Sequence, residues 1–117
     1  MRRLGRGDGD AEALAVAAGA HGAYVRNALA GGDADGLVFE VGGAAAAAAW
    51  FGARGNLVIV SDARLAGHEQ EVAAQIVRSR WSWRIVLGEA AVVDAVGAQV
   101  GRSLLAHRDQ VLSLIHI

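Results

Sequence analysis

The sequence predicts an α/β fold in which helices pack on the faces of a mixed sheet. Three observations predict it. "NLVIVSD" is a β-branched run of the kind a buried strand requires. "ARLAGHEQEVAAQIVRSR", which follows it, carries apolar residues at helical spacing. Beyond that point strand and helix patterns alternate, which implies parallel crossovers packed on a sheet.

The elements follow in order. Residues 1–9 are rich in Gly and Arg and read as a loose N-terminus. Asp10 is the expected N-cap of one helix over "DAEALAVAAGAHGAYVRNALAGG". Leu14, Ala17, Ala18, His21, Val25 and Leu29 fall at helical spacings there, and Gly31–Gly32 supply its stop. Gly19 and Gly22 weaken its middle. "DADG" is a turn.

"LVFEVGGAAAAAAWF" supports two readings. One is a hairpin: Leu37–Val41, a Gly42–Gly43 turn with positive φ available at both positions, and Ala44–Phe51 as the return strand. The other is strand, glycine turn and helix, because consecutive alanines favour helix. "ARG" turns the chain into the strand Asn56–Ser61. Leu65, Val72, Ala73, Ile76 and Val77 form the apolar face of the next helix, while Glu69, Gln70, Glu71 and Arg78 face water. "WSWRIVLG" reads as a strand with Trp81 and Trp83 on one face, "EAAVVDAVGAQVG" as a helix, and "RSLLAHRDQV" as the start of a last extended segment.

Composition narrows the function classes. The 117 residues suffice for one domain with a real core, at 54% hydrophobic and 20% charged. A net charge of -1 argues against a general nucleic-acid binder, which needs clustered basic residues. All eleven basic residues are Arg, a usage expected of a GC-rich bacterial genome. The absence of Cys excludes disulfides, thiolate nucleophiles and Cys-based metal sites. Acids interrupt the N-terminal apolar run and no long apolar stretch follows. A secretory signal and a membrane span are therefore not expected, and a cytoplasmic location is.

Residue patterns offer little catalysis. "VFEVGGAAAAAAWFGARGNLVIVSD" mimics a dinucleotide-binding unit, with Asp62 about 20 residues after Gly42 where an acid would hold a ribose hydroxyl. Counting G-x-G-x-x-G from Gly42 or Gly43, however, puts Ala at both later glycine positions, where a methyl obstructs the pyrophosphate. His21 reads as a packing histidine. His68 and Glu71 can face the same way, but two ligands make no metal site. In His107–Arg108–Asp109, adjacent residues of an extended segment point to opposite faces. Trp50, Trp81 and Trp83 read as packing residues, and base stacking on the tryptophans has no basic patch to support it.

The segments "HGAYVRNAL", "VFEVGGAAAAAAWFGARGNLVIV", "WRIVLGEAAVVDAV" and "LAHRDQV", in that order, resemble the N-terminal half of bacterial acetyltransferases of the GNAT superfamily. In those proteins a degenerate GNAT-like domain precedes a second GNAT domain. The resemblance implies a GNAT-like mixed sheet over residues 10–111, incomplete at the C-terminus, with a hairpin at Leu37–Phe51 and Asn56–Ser61 as the central strand. It also implies a parent that transfers an acetyl group from acetyl-CoA to an amine, in partnership with a downstream catalytic domain. Such enzymes hold the coenzyme pyrophosphate on backbone N–H groups at the N-terminus of the helix after that strand. Their signature is Gln or Arg, two residues, Gly, one residue, then Gly or Ala. In "RLAGHE", Arg64 and Gly67 match and are the candidate cofactor-binding residues, but Glu69 stands where a small residue belongs. The loop reads as degenerate, so neither a bound cofactor nor a catalytic residue is expected in this chain.

The last six residues, "LSLIHI", resemble a translated sequencing-library adaptor, since CTG-TCT-CTT-ATA-CAC-ATC encodes them. Residues 112–117 are accordingly expected to be a non-native tail. A chain cut near Val111 is expected to leave a sheet edge open to self-association.

Overall fold

The computed structural model describes residues 1–5, 8–32, 35–52, 54–79, 83–104 and 113–116, the segments 102–104 and 113–116 by backbone alone. Among the described residues the fold is a mixed α/β sheet of six strands in sequence order: β1 (Arg2–Arg3), β2 (Gly36–Val41), β3 (Ala44–Phe51), β4 (Asn56–Ser61), β5 (Ile85–Gly88) and β6 (Ser113–His116). Pairing is antiparallel from β1 to β4 and parallel from β4 to β6. The helices are α1 (Gly9–Ala18), α2 (Gly22–Ala30), α3 (Glu69–Arg78) and α4 (Ala90–Leu104).

Strand alternation distributes the core onto both faces. In β4, Leu57 and Ile59 join Val72, Ala73 and Ile76 of α3 and Val92, Val93 and Val96 of α4. Val58 and Val60 turn the other way, into a layer with Ala11, Leu14 and Ala15 of α1 and Val25 and Leu29 of α2. Both faces of this strand are therefore dry, which is why its sequence is an unbroken apolar run rather than an alternating one.

The alanine run is a strand, and this removes the helix that a dinucleotide-binding unit needs at Ala44–Trp50. Gly42 and Gly43 take φ of 61° and 82°, the two positive values that a tight hairpin turn demands. Strand pairing then overrides alanine's helix preference, and Ala46–Ala49 are buried with helices over both faces. A bulge shifts the register between Phe39 and Glu40, so that Phe39 opposes Ala47 while Glu40 opposes Ala45.

The N-terminus departs from expectation. Residues 2–3 pair with Val38 and Leu37, and Leu4 is buried, so this part of the N-terminal segment is not loose. The α1 cap is Asp8 rather than Asp10, with the Ala11 N–H donating to its carboxylate at 3.1 Å. The expected single helix is two. Gly19, at φ 78°, ends α1, and a 3₁₀ turn over Gly19–His21 starts α2. The helices then pack so closely that a Cβ on Gly22 would lie 1.9 Å from the Ala15 carbonyl oxygen.

Three expectations in the second half also change. Strand β5 begins at Ile85, so Trp83 precedes the strand, and Trp81 lies outside the described residues. Trp83 instead packs against the α3–α4 core. Helix α4 continues through Leu104 rather than giving way to an extended segment at Arg102. Ser113–His116, inside the expected tail, runs parallel to β5 at the sheet edge. His107–Arg108–Asp109 lies outside the described residues.

Candidate functional site

Strands β4 and β5 pair only over Asn56–Val58, and the rest of β4 is paired on its β3 side alone. From this C-terminal end of β4 the chain turns into the loop that carries Arg64 and Gly67. Asp62 builds the turn. Its Oδ1 accepts the Arg64 N–H at 2.9 Å and its carbonyl accepts the Leu65 N–H at 3.1 Å, which fixes a 3₁₀ turn over Ala63–Leu65. Leu65 is buried and anchors the loop to the core.

The remaining loop amides are engaged within the loop. Ala66 N–H donates to Ala63 O at 3.3 Å and His68 N–H to Leu65 O at 2.8 Å. Gly67, at φ 86°, donates its N–H to Glu69 Oε1 at 3.3 Å. Each amide from Arg64 to His68 therefore already has an acceptor. A phosphate at a helix N-terminus is held by amides of this kind, and here the Gly67 amide donates to the Glu69 carboxylate instead.

Arg64 and Gly67 do not converge on a common ligand position. The Arg64 guanidinium turns to the hairpin, donating to Ala45 O at 3.2 Å and pairing with Asp62 Oδ2 at 3.3 Å. It lines an open cavity of about 420 Å³ floored by Leu14 and by alanines of α1 and β3, with Asp10, Glu40 and Asp62 at its rim. Gly67 is not part of that lining. Arg2 draws the rim together, reaching Asp8 and, at 3.0 and 3.9 Å, Asp10 and Glu40. Asp8 is the best-held acid here. The Arg2 hydrogen bond, helped by the Ala11 and Gly5 amides, lowers its pKa to about 2 against the opposing cost of burial.

Among the described residues, the ionisable groups that line the cavity are Asp10, Glu40, Asp62 and Arg64. Its carboxylates would oppose the phosphates of a coenzyme. A smaller cavity of about 140 Å³ lies between β2 and α3, with His68 and Glu71 at its edge. His68 Nδ1 meets Glu71 Oε2 at 3.5 Å, as their i, i+3 spacing implies. No cluster of three metal-ligating side chains occurs among the described residues. His21 is buried with neither ring nitrogen hydrogen-bonded among the described residues, and the Trp50 indole N–H is in the same position.

The meeting of Asp10, Glu40, Asp62 and Arg64 is what sequence reasoning missed. These residues belong to three segments, α1, β2 and the loop after β4, and the tertiary fold brings them to one end of the sheet. No helix among the described residues is long and apolar enough to cross a membrane. Protein-family models, curated proteins and solved structures yield no match to the chain.

Proposed function

We propose that this chain is a GNAT-like domain without transferase activity of its own, the N-terminal half of a cytoplasmic acetyl-CoA-dependent N-acetyltransferase. In this reading the parent's coenzyme and catalytic residues belong to a domain downstream of Val111, and residues 112–117 are adaptor-encoded. Support comes from the element order strand, two helices, hairpin, central strand, helix, strand, helix, and from the strand at Ala44–Phe51. The observation that carries the non-catalytic assignment is the Glu69 carboxylate on the Gly67 N–H, which closes the β4–α3 loop against an external phosphate.

Calorimetry and thermal shift with acetyl-CoA, NAD and FAD test this. Ligand binding to the native state raises the melting temperature with ligand concentration, and no rise is expected with any of the three. A rise with acetyl-CoA overturns the non-catalytic assignment, and a rise with NAD or FAD overturns the family reading itself. Sequencing the source locus past the codon for Val111 is the complementary test. The frame is expected to continue into a second domain with an intact pyrophosphate loop.

A further inference from the structure

The net charge of -1 conceals a separation of charge along the strand axis. The strand register defines two ends of the sheet. One holds Val41, Ala44, Ser61 and Gly88, and the other holds Gly36, Phe51, Asn56 and Ile85. The first end gathers Asp10, Glu40, Asp62, Glu69, Glu71 and Glu89 against Arg2 and Arg64. At the opposite end Arg54 and Arg84 come from loops that touch: the Arg84 N–H donates to Gly55 O at 2.8 Å, and Arg84 Cγ lies 3.5 Å from where a Gly55 Cβ would stand. Arg78 closes α3 at that same end. All three arginines are exposed, and none has an ion pair among the described residues. Asp35 is the acid that precedes β2 there.

A basic residue in the last turn of a helix complements the helix dipole, which accounts for Arg78. It does not account for Arg54 and Arg84, which sit in loops. We propose that this arginine end is a docking surface for the acidic end of a second copy of the chain, in a head-to-tail contact. The two surfaces are complementary in sign and lie at opposite ends of one molecule, so the contact is heterologous and propagates rather than closing. It is electrostatic, weak and salt-sensitive. A nucleic-acid strand fits less well. Three arginines release few counterions. Trp50 and Trp83 pack against the two cores instead of offering a free stacking face.

Sedimentation velocity over a concentration series, at about 20 mM and about 500 mM salt, tests this. Concentration-dependent association is expected at low salt and its loss at high salt. The double variant Arg54→Glu/Arg84→Glu, acidic at both ends, is expected to stay monomeric. So is Glu71→Arg/Glu89→Arg, which leaves the first end without net charge, and mixing the two is expected to restore association through the intact arginine end of one and the acidic ends of the other. Circular dichroism of each variant separates a lost contact from a lost fold. A wild-type monomer at both salts overturns the proposal. So does association that salt leaves unchanged, which would mark strand pairing at the sheet edge. Binding of a single-stranded oligonucleotide without self-association overturns it in favour of nucleic acid.

Discussion

Arg2 binds the Asp8 carboxylate and so ties the edge strand β1 to the cap of α1. Asp8 titrates near 2, below the ordinary carboxylate value of 3.8. Because the folded value is depressed, this contribution is fully present above about pH 4 and is lost as pH falls toward 2. Asp8→Asn keeps a capping oxygen but removes the charge. It is expected to cost on the order of 1 kcal/mol at neutral pH, after discounting for solvent screening. Urea melts should show the gap between wild type and variant closing from about pH 4 to 2. A gap independent of pH would assign the effect to the cap alone.

The Glu69 carboxylate accepts the Gly67 N–H in the β4–α3 loop. Glu69→Ala frees the Gly67 N–H and removes a negative charge from the start of α3. Inorganic pyrophosphate, titrated by calorimetry, is expected to bind the variant at least several-fold more tightly than wild type, with salt weakening the gain. Equal affinities would mean that Glu69 does not guard this loop.

His21, the last residue of the 3₁₀ turn, is buried with both ring nitrogens unpartnered among the described residues. A buried polar group without a hydrogen bond costs about 1–3 kcal/mol. His21→Leu is therefore expected to raise the stability of the fold by about 1 kcal/mol, read as a higher urea midpoint at unchanged m-value. A lower midpoint would show that the imidazole has a partner, such as a buried water.

Gly43 isolates the price of a positive φ. A Cβ there has open space around it, so its substitution costs backbone strain alone. Gly43→Ala is expected to destabilise by about 1–2 kcal/mol, and Gly43→Asn by less, because Asn tolerates left-handed backbone. Thermal melts of the two variants decide this, and equal losses would mean that the turn changes type.

Much of the fold was legible because it rests on short-range pattern. The apolar run Asn56–Ser61 had to be a doubly buried strand, and the face of Leu65, Val72, Ala73 and Ile76 had to be covered. The N-terminal errors share one cause. "GDGD" offers two caps two residues apart, and the choice fell to Arg2, which arrives from a strand whose two-residue length leaves no periodic signal. The helix break at Gly19–His21 was hinted at by its glycines, but it is made by the close approach of Gly22 to Ala15.

Arg64, Gly67 and Glu69 lie within six residues and stood out in the sequence as a partial match to a pyrophosphate loop, whereas the hydrogen bond from the Gly67 N–H to the Glu69 carboxylate was read only from the structure. The sequence by itself determined the order of elements from β2 to α4, with the hairpin turn as one of two readings, because each depends on residues close along the chain. Tertiary structure decided that six alanines form a strand, since only the β2 and β4 neighbours supply ladder hydrogen bonds and cover that outweigh helix propensity. It also decided which charges share an end of the sheet. Arg54 and Arg84 are thirty residues apart in the chain, and the parallel pairing of β4 with β5 sets them side by side.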